Sequence, residues 1–392
     1  MRLLYITESM PNRDPVLGDG SSMIPFEVLG NLPADVAVTL LTFAGPVQCP
    51  ADVRGRCEAV HELSPRGHPW ALARSVFSVH DVGAQERATA AAITAASELS
   101  AQCDATLVHG PHVLFLAHHV RSPMVLQTVD PWSIRIGMES ALVRGWRAAY
   151  RRLKGMLALR AARQLPARAR LLTVGAQDAA EWSKLLGRPV RSIPNGARPV
   201  TRTADRDGSP TVCFVGSLNY APNIDSAKAL IGKIAPLVWH EVPEARFVIA
   251  GRLPPPEILS LAGQRVDVLA NVPSVAEVFQ LADVAAFPDE FGVGIRNSVR
   301  EALAAGLPVV ATPVAAREQD AHCLLTVEGD TGKFVEHVLR HLSAERADPC
   351  NVEGDLAAGR TWKAAAQDYM DELRDAISGT VPVLKAAGHE LQ

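Results

Sequence analysis

Short apolar runs alternate with helical stretches along this chain, and the series occurs twice. In the first half, Leu3-Leu4-Tyr5-Ile6-Thr7 reads as a buried strand. A loop with Gly18-Asp19-Gly20-Ser21-Ser22 follows, then a helix through Phe26 to Leu32. Val36 to Phe43, Thr106 to His109 and Met124 to Val129 read as further strands, and residues 84–102 are Ala-rich and helical. The stretch Ala197 to Pro210 is polar, contains Pro and Gly, and has no periodicity, so it reads as a linker. Beyond it, Thr211 to Val215, Arg246 to Ala250, Val266 to Leu269, Val284 to Phe287 and Val309 to Ala311 read as strands. Helices are predicted over 223–239, 275–282, 332–343 and 361–377. Apolar strands separated by helices call for a parallel sheet covered on both faces. A chain of 392 residues can build two such domains with separate cores. Two α/β domains and one linker place a cleft between the strand carboxyl ends, where open sheets bind ligands.

Composition narrows the classes. Hydrophobic residues make up 48% and charged residues 21%, which is ordinary for a globular protein. A net charge of −3 argues against bulk nucleic-acid binding. The six cysteines are scattered, with no CxxC or Cys/His spacing of a zinc site. Cys103 and Cys213 lie in or beside apolar runs and read as buried thiols, which fits a reducing cytoplasm. Met1 to Thr7 is too short for a signal peptide, and no apolar run reaches transmembrane length.

Phe287 to Thr312, F-P-D-E-F-G-V-G-I-R-N-S-V-R-E-A-L-A-A-G-L-P-V-V-A-T, carries the densest chemistry. A strand end feeds the turn Gly292-Val293-Gly294, and a helix follows. Such a turn is either a plain connection or a place where backbone and helix amides approach a phosphate. Arg296, just inside the predicted helix, either reaches that phosphate or lies in solvent. Glu301 is either a surface carboxylate, the usual fate of Glu, or a group that binds sugar hydroxyls of the same ligand. Its neighbours Ala302, Leu303, Ala304 and Ala305 mark a closely packed helix.

In chain order, five segments resemble the nucleotide-sugar domain of GT-B glycosyltransferases of the group 1 (family 4) type. Ile193-Pro194-Asn195-Gly196 is similar to the family's V-P-N-G, and Phe214-Val215-Gly216-Ser217-Leu218 with Pro222-Asn223 to its F-x-G segment. Phe247 to Arg252 resembles F-x-I-x-G, Val266 to Val272 the V-x-V-x-G-x-V strand, and Glu301 to Val310 the E-A-x-A-x-G-x-P-V-V signature. The resemblance implies a GT-B fold, with two Rossmann-like doubly wound domains facing a central cleft. Residues 1–197 would form the acceptor-side domain, 198–210 the linker and 211–360 the nucleotide-sugar domain. A helix over 361–380 would cross back to the first domain, and 381–392 would be a tail.

The resemblance further implies a hexosyltransferase-type enzyme. It would move a sugar from a nucleotide-diphosphate-sugar to an acceptor hydroxyl, with retention of configuration and with no metal or other cofactor. Glu301 would then accept hydrogen bonds from the ribose, and the backbone at Val268 would read the base. Gly216, Ser217, Arg252, Gly292, Val293, Gly294 and Ile295 would line the donor, with Arg296 offsetting charge on the leaving diphosphate. Gly18 and Gly20 either approach the donor from the first domain or belong to an ordinary loop. His109 and Asp130, predicted at strand ends, are either catalytic groups touching sugar or acceptor or structural polar groups. Trp132 and Arg135, just beyond, would form an acceptor wall.

The chain departs from the family pattern at several places. Many relatives carry a second glutamate with seven residues between it and the position of Glu301, and here that residue is Val293. A branch with G-I-x-N-K-V-x-E-A has lysine where this chain has Ser298. The Arg and Lys that some members carry after F-x-G are missing, so Arg296, Arg252 or a group of the first domain would compensate, and Asp289 or Glu290 would replace the sugar contact. Nine basic residues lie between Arg144 and Arg170, and residues 140–177 contain no Asp or Glu. This stretch reads either as a helix with a solvated basic face or as a peripheral contact with an anionic membrane or acceptor. The acceptor class stays open between a saccharide, a lipid-linked molecule and a small molecule. A GT-B-fold sugar-nucleotide epimerase and a non-catalytic nucleotide-sugar-binding protein remain as alternatives.

Overall fold

A computed structural model describes residues 1–14, 16–18, 20–76, 78, 80, 82–129, 136, 144–198, 200, 208–292, 294–343 and 360–379. The chain divides into two compact units. One holds Met1–Arg13, Gly18–Pro194 and the chain from Ala365; the other holds Asp14–Leu17 and Asn195–Ala364.

The first unit is built on the strands β1 (Arg2–Thr7), β2 (Ala37–Phe43), β3 (Ala59–Leu63), β4 (Ala105–His109), β5 (Met124–Gln127), β6 (Arg170–Thr173) and β7 (Val190–Ser192). They form one parallel sheet in the order β3-β2-β1-β4-β5-β6-β7. The strand order reverses between β1 and β4, the switch point at which such sheets open a crevice. Its helices are α1 (Gly20–Asn31), α2 (Ala51–Arg56), α3 (His68–Val76), α4 (Val82–Arg87), α5 (Ala90–Ser100), α6 (Trp146–Arg163) and α7 (Ala176–Leu186), with a 3₁₀ segment over Pro111–His118. Every residue of β4 and β5 is buried, as both faces of a covered parallel sheet require.

The second unit contains β8 (Thr211–Val215), β9 (Arg246–Gly251), β10 (Val266–Ala270), β11 (Val284–Phe287), β12 (Val309–Ala311) and β13 (Leu325–Val327). These run parallel in the order β10-β9-β8-β11-β12-β13. Its helices are α8 (Ala221–Ala229), α9 (Ala235–Glu241), α10 (Pro256–Leu259), α11 (Val275–Leu281), α12 (Asn297–Ala304) and α13 (Thr331–Ser343). Phe214, Phe247, Phe279 and Phe287 are wholly buried between sheet and helices. Each contributes roughly 1.5–3 kcal/mol by leaving water.

The last helix, α14 (Trp362–Ser378), joins the first unit from Ala365 onward. There the buried guanidinium of Arg170 donates to Glu372 Oε2 at 2.6 Å and to Asp375 Oδ2 at 3.2 Å. Arg191 pairs with the other Glu372 oxygen. Gln127 Nε2 donates to Tyr369 Oη at 2.6 Å. Burying charge is tolerable here because the Glu372 carboxylate is paired on both oxygens.

Several local expectations change. α1 begins at Gly20, so Gly20 to Ser22 form its first turn and not a preceding loop. β5 stops at Gln127: Val129 has φ +65°, which no strand accommodates, and its amide donates to Gln127 Oε1 at 3.1 Å. The helix predicted over 223–239 is α8 and α9 joined through a π turn at Leu230–Ile234. Cys49, Cys57, Cys103 and Cys213 are free thiols, whereas Cys323 is disulfide-bonded, which its isolated position in the sequence did not signal. No helix among the described residues is long and apolar enough to cross a membrane.

Candidate functional site

The carboxyl ends of β8, β9 and β11 in the second unit bring the family-like segments together. Gly216 follows β8 and Gly251 ends β9. A Cβ on Gly251 would lie 1.8 Å from the Gly216 carbonyl oxygen, so no side chain fits there. A Cβ on Gly216 would come within 3.0 Å of the Asn223 side chain and 3.4 Å of the Arg296 guanidinium. The two glycines thus allow backbone and side chains to close over the sheet end. Ser217 is held by Arg252, whose Nε donates to its Oγ at 2.8 Å, and by Asn223, whose Nδ2 donates to its carbonyl at 2.9 Å. Val268 lies in the middle of β10, opposite Ile249.

Beneath this loop lies a buried polar network. Arg296 Nη1 donates to Asp289 Oδ2 at 2.5 Å and to Asn223 Oδ1 at 2.9 Å. Ser226 Oγ donates to the other Asp289 oxygen at 2.7 Å. The guanidinium carbon lies 5.0 Å from the Phe214 ring centre and 4.8 Å from that of Phe287, within cation–π range. Burial pushes the Asp289 carboxyl pKa up, against the opposing pull of Arg296 and Ser226. Burial likewise lowers that of Arg296, against the opposing pull of Asp289. Each ion is therefore tolerated largely because of the other.

Two sequence expectations are corrected here. Arg296 is neither solvated nor inside the helix. It is the N-cap residue of α12, and its side chain is 13% exposed and committed to Asp289 and Asn223. Asp289 and Glu290, considered as replacement sugar contacts, are engaged elsewhere: Asp289 in this network, and Glu290 with Lys233 at 2.7 Å on the surface.

The signature helix has a plain mechanical logic. Val299, Ala302, Leu303 and Ala304 are buried. Asn297, Ser298 and Glu301 are half-buried, and the helical repeat places them together on one face. Glu301 sits in the second turn of α12. Gly306, at φ +66°, ends the helix: its amide donates to the Leu303 carbonyl at 2.9 Å, and the Leu307 amide reaches Ala302 at 3.0 Å. This is a Schellman ending, which needs a left-handed residue and favours glycine. The preceding turn uses Gly294 in the same way, at φ +75°, whereas Gly292 has open space around it apart from Val314 at 3.8 Å. Ile295 is half-buried beside that turn.

Sequence reasoning missed two groups that dock α12. Arg300 is buried and donates to the carbonyls of Asn195 and, at 3.2 Å, Glu318; burial lowers its pKa to about 10. Asn195 Nδ2 donates to Asn297 Oδ1 at 3.0 Å. The I-P-N-G segment is thus tied to the helix that carries Glu301. A Cβ on Gly196 would meet the Trp362 amide nitrogen at 2.2 Å, which accounts for the glycine. The signal was present in Arg300 itself, a charge within an otherwise buried helix face.

In the first unit, Gly18 is buried and Gly20 starts α1. His109 ends β4 beside Thr7 of β1 and is fully enclosed. Neither of its ring nitrogens has a hydrogen-bond partner. Burial lowers its pKa to about 3, so it is neutral at physiological pH and shielded from any ligand outside. Asp130, Trp132, Arg135 and, in the second unit, Val293 lie outside the described residues. The basic stretch is not one solvated face. Lys154 donates to the Ser75 carbonyl, Arg163 to Leu185 at 2.8 Å, Arg168 to Val120 at 2.5 Å, and Arg170 is in the buried pair described above.

The family model for Glycosyl transferases group 1 matches residues 209–344. The matched span runs from β8 through α13 of the second unit. Similar solved structures include Anabaena HepE in complex with UDP and glucose, 14% identical, with 96% of each chain covered and a TM-score of 0.57. Another is an α,α-trehalose 6-phosphate synthase from Burkholderia multivorans, 12% identical, covering 96% of this chain and 99% of that one, with a TM-score of 0.62. A third is a UDP-forming α,α-trehalose-phosphate synthase from Burkholderia xenovorans in complex with glucose-6-phosphate, 12% identical, covering 96% and 97%, with a TM-score of 0.58. At these identities the likeness establishes the GT-B fold. A comparison with curated protein sequences finds no match.

Two measurements probe this glycosyltransferase fold. Asp289→Ala leaves Arg296 buried and unpaired, so a loss of about 3–5 kcal/mol is expected in urea unfolding, and Asp289→Leu with Arg296→Met should recover much of it. The folded pKa of His109, about 3, lies below its ordinary value of 6.5. The unfolded chain therefore binds the proton first as pH falls, and stability present above pH 6.5 is lost towards pH 3. His109→Leu should remove about 2 kcal/mol of the stability difference between pH 7 and pH 5, read from urea midpoints.

Proposed function

We propose that the protein is a retaining, metal-independent glycosyltransferase that moves a hexose from a nucleoside-diphosphate-sugar to an acceptor hydroxyl. In this reading the second unit, with residues 211–360, holds the donor, and the first unit, with residues 1–197, serves the acceptor. The observation that carries it is the half-buried face of α12, where Glu301 lies beside Asn297 and Ser298 and next to the Gly294 turn, inside the family-matched segment. The UDP and glucose bound to HepE support a nucleoside diphosphate as the donor's leaving group.

Glu301 accepts hydrogen bonds from the ribose hydroxyls. The backbone of Gly292 to Ile295 and the first amides of α12 face the diphosphate, and the β10 backbone near Val268 contacts the base. Arg252 supplies a cation on the loop after β9. Arg296 acts as a positioning residue: by holding Asp289 and Asn223 it fixes both loops that flank the donor. The bond between sugar C1 and the diphosphate oxygen breaks, and the acceptor oxygen bonds to C1 on the same face. The acceptor proton passes to an oxygen of the departing diphosphate. The protein contributes positioning and charge stabilisation to this step.

Removing the ribose contact gives the direct test. Glu301→Ala should weaken nucleoside-diphosphate binding by roughly 1–3 kcal/mol in calorimetry while leaving the melting temperature near wild type. Unchanged affinity would remove Glu301 from the site.

A further inference from the structure

Helix α6 turns its larger apolar side chains outward. Trp146 is 75% exposed, Tyr150 42%, Leu153 46% and Met156 63%. Their spacings of four, three and three residues place them within about a third of the helix circumference, so they form one stripe. The opposite side meets the first unit through Gly155 and Ala162, which are buried, and Ala158, which is half-buried. A helix that serves only a core does the reverse, with its large apolar groups inside and polar groups in water. The stripe runs about 15 Å along the helix axis. It is continuous, unlike the singly scattered apolar residues of an ordinary surface.

The charge along this segment has one sign. Residues 140–177 contain no Asp or Glu, in a chain whose net charge is −3. Lys154, Arg163, Arg168 and Arg170 donate to groups of the first unit. Arg144, just before α6, and Arg152 and Arg160 within it are exposed. By the helical repeat Arg152 flanks the stripe, and Arg160 extends it one turn beyond Met156. A second copy of this face would meet these cations with like charge, which opposes self-association. An anionic bilayer satisfies both features at once. Its headgroup boundary takes up Trp, Tyr, Leu and Met side chains, and its phosphates take guanidinium groups. No helix among the described residues is long and apolar enough to cross a membrane, so such a contact lies in the plane of the interface.

We infer that the outer face of α6 docks the protein on an anionic lipid bilayer, with the helix axis parallel to the surface. Trp146, Tyr150, Leu153 and Met156 enter the boundary between headgroups and acyl chains, and Arg144, Arg152 and Arg160 reach the lipid phosphates. Four apolar side chains give only modest insertion, and exposed cations alone are screened by salt, so the two act together. Docking is therefore reversible, requires anionic lipid and weakens as salt rises. These side chains already stand in water, so the first unit docks without rearranging.

The test is co-sedimentation of the full-length protein with vesicles of phosphatidylglycerol and phosphatidylcholine, and with vesicles of phosphatidylcholine alone. Capture by the anionic vesicles at low ionic strength is expected, reduced by high salt and weak on phosphatidylcholine. Leu153→Ser with Met156→Ser should lower the apparent affinity roughly tenfold. Arg144→Gln with Arg152→Gln and Arg160→Gln should lower it by roughly as much. Leu237→Ser, at a residue of α9 that is 47% exposed, should leave it unchanged. All these side chains are exposed, so melting temperatures near wild type are expected. Vesicles carrying brominated lipid should quench tryptophan emission, and Trp146→Phe should bind nearly as wild type and lose most of that quenching. No capture at low ionic strength, equal capture of wild type and both α6 variants, or undiminished quenching in Trp146→Phe overturns the inference. So does a concentration-dependent dimer in sedimentation velocity that Leu153→Ser with Met156→Ser abolishes, which assigns the face to a second copy.

Discussion

A guanidinium and a carboxylate, both withdrawn from water at the ends of β8 and β11, hold the second unit's functional edge in one geometry. Arg296 and Asp289 lie against Phe214 and Phe287 at the top of the core, and burial works against the charge on each of them. Their pairing offsets that penalty only in one arrangement, because Ser226 and Asn223 must also be in place to complete the hydrogen bonds. Those two residues belong to α8, and Asn223 fixes the Ser217 loop. Asp289 fixes the chain leaving β11, since its carbonyl accepts from Thr312 at 2.7 Å. Arg296 is also the residue from which α12 starts, and its own carbonyl is held by Gln319 at 3.0 Å. The position of Glu301 is therefore set from below by an ion pair and from the side by Arg300 and Asn195.

Much of this architecture is legible in the chain because covered parallel strands have to be apolar throughout. Thr211–Val215, Val284–Phe287 and Val309–Ala311 occur in the fold at the predicted bounds. The strands that escaped have weaker patterns for physical reasons. β3 and β13 are edge strands with half-exposed or exposed residues, so their sequences, A-V-H-E-L and L-T-V, mix polar and apolar positions. β6 begins with Arg170, whose burial is made possible by Glu372, 202 residues away. No local reading could supply that partner.

The site shows the same division. Glycines at 216, 251, 294 and 306 mark segment ends in the sequence, but the reasons differ: close approach for the first two and left-handed backbone for the last two. Arg296 and Asp289 are only seven positions apart, yet nothing in the sequence signals that they pair in the interior. Their burial depends on two phenylalanines from different strands and a side chain from α8. His109 ends a strand, where the sequence leaves a catalytic and a structural role equally open, and in the fold packing has closed over it.

As a glycosyltransferase of the kind proposed, the protein must recognise a nucleoside diphosphate joined to a sugar. Calorimetric titration of the purified protein with UDP, GDP, TDP and ADP and their hexose conjugates measures this directly. The predicted result is saturable one-to-one binding of at least one nucleoside diphosphate and its sugar conjugate. Absence of binding by every member of the panel would contradict the account.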